Sequence, residues 1–383
     1  MTRLSREVPH TVGSVTDLAP SLVSTLSGHP DAAPLHRYFP VAPAPRRIIL
    51  ILIDGFGWDQ WGQAVMDGLL PTVSGLVRTG AASAHPLGTV FPSMTPVVLT
   101  SLLTGLPPAR HGILGQAVRL SSGVVDVLRD PWPDGEGVAL PVPDLGALCH
   151  ASGHSYDVVL EERLAGGPLT RILHGGAGRM RTFVAASGLP VMLEQWLGDV
   201  TDGALYVYWP AVDSIVHARG AFGPEWTAEI RSLDAWIGRL AAAAPNTWIW
   251  ITADHGHVPL TDALDYKPLR GRLPWLPESP SRAGNGLGLP VPDGRRGDLE
   301  AAVGDLFGDR VSVHDVRSLW EEGLWGDSGS SPYQSRVGDV LLWAERSGEY
   351  WKPDHDHGKV PMWSHGGLSS REMQVPWIQI HAR

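Results

Sequence analysis

The 383-residue sequence contains one cysteine, Cys149, so it has neither an internal disulfide nor a zinc site built from several thiolates. Basic residues are also few. Lys and Arg number 30 against 40 Asp and Glu, and the net charge of −10 argues against a nucleic-acid or membrane-surface binder. The longest strongly apolar run, 48–53, is far shorter than the roughly 20 residues of a membrane span. The first residues lack the apolar core of a signal peptide, so we expect a soluble, cytoplasmic protein.

What the sequence does contain is typical of a globular protein. Hydrophobic residues make up 43% and charged residues 18% of the chain. Gly 45 and Pro 33 are abundant, which predicts many long loops. The length favours one large domain, or a main domain with a sizeable insert.

Short apolar runs alternate with helical patterns along the chain. The run IILILI at 48–53 stops at Asp54 and Gly55, and similar runs occur at 156–160, 204–209, 247–253 and 339–344. Continuous runs of this kind favour strands of a parallel sheet that is buried on both faces. The clearest helical pattern is 224–244, where apolar residues recur at steps of three and four. The sequence therefore predicts an α/β fold with a mostly parallel central sheet.

The chain divides into segments of different composition. Residues 1–47 are polar and dotted with proline, and we interpret them as a lead-in on the surface. Residues 262–350 begin rich in Gly, Pro and Arg, which indicates an inserted cap or subdomain. We expect the core to comprise 48–261 and 351–383.

Potential metal ligands follow the predicted strands. Asp54 ends one strand directly and Asp254 follows another, and ligands of such sheets bind beyond the carboxyl ends of the strands. Asp213 and His217 are four residues apart, so on a helix they face the same way. Carboxylates and imidazoles without thiolates suit Zn²⁺, with Mn²⁺ or Fe²⁺ as alternatives. The six candidates are Asp54, Asp213, His217, Asp254, His255 and His365.

A further candidate begins a predicted helix. In TVFPSMTPVVLTSLLTG (89–105), Thr95 is a favoured N-cap residue and Pro96 is tolerated at the first helical position. A helix N-terminus attracts phosphate, and a hydroxyl that touches a divalent metal there could ionise and attack phosphorus. The alternative is that Thr95 only caps its helix.

Five short blocks occur in the order that one family has them. They are IILILIDGFGW, FPSMT with LTSLLTG and PPARHGI, the D-S-x-x-H block at 213–217, TADHG at 252–256 and SHGG at 364–367. The chain thereby resembles the type I phosphodiesterase/nucleotide pyrophosphatase branch of the alkaline phosphatase superfamily. The resemblance implies a three-layer α/β sandwich with helices on both faces of a mostly parallel sheet and a smaller inserted subdomain.

The resemblance also implies a mechanism. One zinc ion would be held by Asp54, Thr95, Asp254 and His255, and a second by Asp213, His217 and His365, giving two Zn²⁺ per chain. Thr95 would be the nucleophile that cleaves a phosphodiester or pyrophosphate bond through a phosphothreonine intermediate. The partner would be a small-molecule phosphate ester, with no nucleic-acid polymer and no membrane. The oligomeric state is left open.

The sequence departs from the family pattern around the substrate. Pro96 follows the nucleophile, where nucleotide-cleaving relatives have an aromatic residue. Gln116 in HGILGQ replaces their phosphate-contacting Asn, and Tyr208 matches the family in kind. We therefore expect Gln116 and Tyr208 to bind the substrate, whereas a nucleotide substrate is in doubt.

Other functions stay open. A phosphomonoesterase or phosphonate hydrolase would use the same centre with an added cationic clamp, for which Arg110, Arg163 or Lys359 could serve. A catalytically degenerate binding protein is the alternative of another class. His257 is interpreted as a supporting or solvated residue, and the cluster at 354–357 as a polar loop near the mouth of the site, with substrate contact as the alternative for both. The sulfatase branch is disfavoured because its Cys- or Ser-bearing C/S-x-P-x-R motif is missing.

Overall fold

A computed structural model describes residues 4, 13–38, 44–132, 142–326, 329, 331–352 and 361–382. Its strands are β1 (Arg47–Ile53), β2 (Ala82–Gly88), β3 (Ala117–Leu120), β4 (Gly123–Asp126), β5 (Ser155–Glu161), β6 (Arg179–Phe183), β7 (Gly203–Trp209), β8 (Thr247–Thr252), β9 (Val258–Pro259), β10 (Asp262–Leu264), β11 (Ser281–Ala283), β12 (Gly286–Leu289), β13 (Val311–Asp315), β14 (Val340–Ala344), β15 (Glu349–Trp351), β16 (Trp363–Ser364) and β17 (Gln374–Ala382).

The α-helices of the described residues lie between these strands. They are α1 (Leu18–Leu26), α2 (Trp58–Met66), α3 (Pro71–Arg78), α4 (Thr95–Thr104), α5 (Pro108–His111), α6 (Leu145–Ala151), α7 (Glu162–Ala165), α8 (Pro168–Leu173), α9 (Gly188–Asp199), α10 (Ala211–Arg219), α11 (Pro224–Ala243), α12 (Lys267–Arg272), α13 (Arg296–Phe307), α14 (Val316–Glu321) and α15 (Ser370–Met373). Within the described ranges, no helix has both the length and the apolar character needed to cross a bilayer.

The large sheet has seven strands in the order β2-β17-β8-β1-β7-β5-β6. Strands β8, β1, β7, β5 and β6 run parallel, and β17 pairs antiparallel with both β8 and the edge strand β2. The buried residues of β1 sit at the centre of the main hydrophobic cluster. The predicted α/β fold with a mostly parallel central sheet flanked by helices is confirmed.

The predicted helix at 224–244 is observed as α11. Its stripe of apolar residues is buried against the sheet, which is why the three- and four-residue spacing identifies it. These residues are Trp226, Ile230, Leu233, Ile237 and Leu240.

A second sheet of six antiparallel strands has the order β13-β14-β12-β11-β3-β4. The apolar run at 339–344 forms β14 here rather than a strand of the large sheet. One face of β14 packs into a cluster with Leu341 and Trp343, and the other into a cluster with Val340 and Leu342. Burial on both faces explains why an antiparallel strand has a continuous apolar sequence.

The structure of two chain segments differs from what the sequence predicts. The residues before β1 include α1, whose Leu18 and Leu22 are buried in the main cluster, so this part of the lead-in contributes to the core. The second sheet takes β3 and β4 from 117–126 in addition to strands from 281–344. The division into a core and an insert at 262–350 stays a prediction.

Candidate metal centre

The centre begins at the carboxyl ends of neighbouring strands. Strand β1 pairs in parallel with both β7 and β8, so Asp54 and Asp254 emerge at the same edge of the sheet. The Oδ1 atom of Asp254 accepts hydrogen bonds from the backbone N–H groups of Gly55 and His255, each at 3.0 Å. These bonds fix the carboxylate between the two strand ends.

Asp54, Asp254 and His255 form the first ligand group, whose candidate ligand atoms all lie within 4.8 Å of one another. His255 Nε2 is 3.5 Å from Asp54 Oδ1, 3.4 Å from Asp254 Oδ2 and 3.2 Å from Thr95 Oγ1. Ligand atoms that share a tetrahedral zinc ion at bonds of about 2.0 Å are about 3.3 Å apart. These three separations, all measured from His255 Nε2, are compatible with ligand atoms of one cation.

Asp213, His217, His257 and His365 form the second ligand group, also within 4.8 Å of one another. Helix α10 presents Asp213 and His217 on one face, and Asp213 Oδ1 lies 3.2 Å from His217 Nε2. His365 belongs to the loop after β16, and its ring lies 3.6 Å from the ring of His255 in a stacked arrangement. This stacking brings the two groups side by side.

The four imidazoles of the centre share one hydrogen-bonding pattern. Each Nδ1 faces a backbone carbonyl oxygen at 2.8–3.1 Å, and because a carbonyl only accepts, each Nδ1 carries the proton. The carbonyls belong to Trp363 for His217, Gly256 for His255, Gly55 for His257 and Ser93 for His365. Each Nε2 is thus left with a lone pair for a ligand, as in metal-binding histidines.

Burial and neighbouring charges disfavour the ionised form of Asp54 and the protonated form of His255. Burial, together with the charges of Asp254 and Asp213, raises the pKa of Asp54 well above its usual range. Burial and the neighbouring His257 lower the pKa of His255 to about 3. Asp54 Oδ1 and Asp254 Oδ2 are buried without a hydrogen-bond partner. A divalent cation favours ionised carboxylates and neutral imidazoles together, so the residues present fit a metal centre.

Thr95 lies at the start of α4, as expected, but does not cap it. Met94 has the extended N-cap conformation, and Thr95 is the first residue of the helix. This corrects the expectation that Thr95 is the N-cap. Since its side chain is not used for capping, its hydroxyl is free to face His255 Nε2 at 3.2 Å.

The two expected substrate-binding residues make different contacts. The hydroxyl of Tyr208 donates a hydrogen bond to Asp54 Oδ2, inside the centre. Burial and the charge of Asp54 raise the pKa of Tyr208 well above its usual range, so the phenol keeps its proton. Gln116 donates to Asp126 Oδ2 at 3.2 Å, across the β3–β4 hairpin. Substrate binding by both residues stays a prediction.

Other sequence candidates lie away from the two ligand groups or outside the described residues. Arg163, a candidate for the cationic clamp, pairs with Glu161 at 2.8 Å. The cluster at 354–357 and Lys359 lie outside the described residues. His257 is the residue whose place in the centre the sequence did not predict.

A family model matches the part of the chain that carries most of the expected metal ligands. The model of the family described as type I phosphodiesterase/nucleotide pyrophosphatase matches residues 48–132 and 185–270. The resemblance to this family is confirmed. The matched segments of the phosphodiesterase family contain six of the seven expected ligands, and His365 lies beyond them.

Solved structures share the fold of this chain. Phosphonoacetate hydrolase from Sinorhizobium meliloti 1021, in complex with phosphonoformate, is 20% identical over 88% of this chain and 90% of its own, with a TM-score of 0.65. Murine ectonucleotide pyrophosphatase/phosphodiesterase 5 is 14% identical over 86% and 87%, with a TM-score of 0.62. Its inactive variant, with alanine in place of a threonine and in complex with AMP, is 15% identical over 87% of each chain, with a TM-score of 0.62. The fold of this chain is alkaline phosphatase-like.

Proposed function

We propose that the protein is a two-metal hydrolase of phosphodiester or pyrophosphate bonds with Thr95 as its nucleophile. Asp54, Thr95, Asp254 and His255 would hold one metal ion, and Asp213, His217 and His365 the other. Two bound divalent cations, with Zn²⁺ as the preferred metal, would supply positive charge. That charge lowers the pKa of a hydroxyl and stabilises negative charge on the phosphoryl group. The observation that carries the proposal is the place of the Thr95 hydroxyl, 3.2 Å from His255 Nε2 beside two unpartnered carboxylate oxygens.

The surroundings of Thr95 favour attack of its hydroxyl oxygen on a phosphate group. The N-terminus of α4 carries a partial positive charge, which favours a phosphate group next to Thr95. Attack of the Thr95 oxygen on phosphorus would form a P–O bond to threonine and break the bond to the leaving group. Water would then hydrolyse the phosphothreonine and return the hydroxyl. The inactive murine relative, which has alanine in place of a threonine, supports this role for a threonine.

The test is replacement of Thr95. We expect Thr95→Ala to lower hydrolysis of bis-p-nitrophenyl phosphate by about 10³-fold or more, because the attacking oxygen is removed. Zinc content should change little, since three donors of the first group remain. Thr95→Ser is the matched control, because it keeps the hydroxyl and should retain much of the rate. Full activity in Thr95→Ala would exclude Thr95 as the nucleophile.

A second candidate function is hydrolysis of phosphonates or phosphomonoesters at the same centre. It is favoured by Pro96, which occupies the position after the nucleophile and is buried rather than presented as an aromatic platform for a base. A rate comparison of bis-p-nitrophenyl phosphate, p-nitrophenyl phosphate and phosphonoacetate on zinc-loaded protein separates the two. Preference for the diester supports the first function, and preference for either of the others supports the second.

A further inference from the structure

His257 lies inside the second ligand group rather than behind it. Its side chain is fully buried, and its Nε2 atom is 3.0 Å from Asp213 Oδ1. The ring also contacts those of His217 and His365, with ring centres 5.2 Å and 5.4 Å away. The family resemblance assigns no role to this position, and the sequence alone favoured a supporting or solvated residue.

The surroundings of the ring determine which nitrogen carries the proton. Trp226 Nε1 donates to Gln60 Oε1 at 2.8 Å, which turns the Gln60 amide nitrogen toward Gly55 O at 2.7 Å. The same carbonyl oxygen lies 3.0 Å from His257 Nδ1, closer than the 3.4 Å between that nitrogen and Gln60 Nε2. Because the carbonyl can only accept, His257 donates through Nδ1. Its Nε2 lone pair therefore points at a carboxylate oxygen.

Two acceptors 3.0 Å apart repel one another unless a proton or a metal ion lies between them. His217 has the same arrangement, since its Nδ1 donates to Trp363 O at 2.8 Å and its Nε2 lies 3.2 Å from the same Asp213 oxygen. Both separations are close to the distance of about 3.3 Å expected between two ligand atoms of one zinc ion. His217 and His257 are thus placed alike around Asp213.

The backbone at Gly55 leaves room for the His257 ring. Gly55 has a φ of 72°, and a Cβ atom there would lie 2.3 Å from His257 Cε1. A residue with a side chain at position 55 would therefore displace the imidazole from the centre. The glycine two residues after β1 and the imidazole at position 257 fit each other.

We propose that His257 is a fourth protein ligand of the second metal, together with Asp213, His217 and His365. The inference rests on the proposed metal centre and adds a donor to it. Sites with four protein ligands are closed, whereas catalytic sites usually keep a position open. With His257 included, four protein side chains would hold the second metal.

The deciding experiment is a crystal structure of zinc-loaded protein with anomalous data at the zinc edge. We expect a peak in the second group about 2.0–2.1 Å from His257 Nε2. A peak in that group more than about 3 Å from Nε2, with His257 bonded only to Asp213, would overturn this inference and leave the proposed function standing. Absence of zinc from both groups would overturn both.

Zinc affinity in solution gives a second readout. We expect His257→Gln to weaken binding of the second metal by more than the roughly 10–100-fold that loss of a supporting hydrogen bond costs. Binding of the first metal should not change, which also shows that the variant is folded. His174→Gln is the matched control, because it removes another buried imidazole, which contacts Tyr156 at 3.2 Å. A smaller loss in His257→Gln, or an equal loss in both variants, would contradict the ligand role.

Discussion

The two ligand groups of the centre differ in how they are built and how far they are buried. In the first group the side chains of Asp54, Asp254 and His255 are 6%, 0% and 0% exposed. In the second, Asp213 is 19% and His217 32% exposed. The first group stands on the ends of neighbouring parallel strands, whereas the second is assembled from α10, the segment after β8 and the loop after β16.

This difference in burial and support indicates that the two ligand groups have different roles within one site. Strand ends are held by the sheet on both sides, so the first group positions Thr95 and its neighbours with little freedom. A helix and a loop leave one side of the second group open to solvent. We therefore expect a substrate to enter over Asp213 and His217.

The largest effect should come from removing one carboxylate of each group in turn. Asp254→Asn and Asp213→Asn should each lower turnover by about 10³-fold or more, because each removes a charged metal ligand. Zinc analysis of the purified variants should show about one zinc per chain in each. In Asp254→Asn the remaining metal should occupy the second group, which is the more exposed one. In Asp213→Asn it should occupy the buried first group.

The two variants also test whether the groups are independent. Rapid loss of zinc to a mild chelator from Asp254→Asn, and slow loss from Asp213→Asn, would agree with the difference in burial. If either single change releases both metals, the centre is one cooperative unit and the comparison between the groups is wrong.

A smaller effect is expected from Tyr208→Phe. The phenol donates to Asp54, so its removal should weaken binding of the first metal by about 10–100-fold and leave the second unchanged. Competition with a chromophoric chelator measures both affinities. If instead KM rises while both zinc affinities stay the same, Tyr208 contacts the substrate, as the sequence predicted.

Much of the first group could be predicted from sequence because it depends on sheet geometry. Buried apolar runs identify β1 and β8, and parallel pairing places the residues that follow them at one edge. Asp54 and Asp254 are found there. The spacing of Asp213 and His217 likewise needs only the helical repeat.

The parts that sequence did not predict depend on distant contacts. The His257 ring enters the centre because Gly55 leaves room for it and Gln60, oriented by Trp226, lies behind it. No local pattern shows these contacts. Thr95 was placed one position too early on its helix, since residue preferences do not distinguish the cap from the first turn.

The second sheet shows a similar limit. Strand β14 was grouped with the parallel strands because its sequence is continuously apolar, but it lies between two hydrophobic clusters in an antiparallel sheet. Burial on both faces gives the same pattern in either kind of sheet. The partner strands must be known to tell them apart.

Metal content of the wild-type protein tests the central claim most directly. Protein loaded with zinc and freed of excess metal by gel filtration should retain about two zinc ions per chain by elemental analysis. Retention of none, with the protein folded, would contradict a dinuclear centre and with it the role of Thr95.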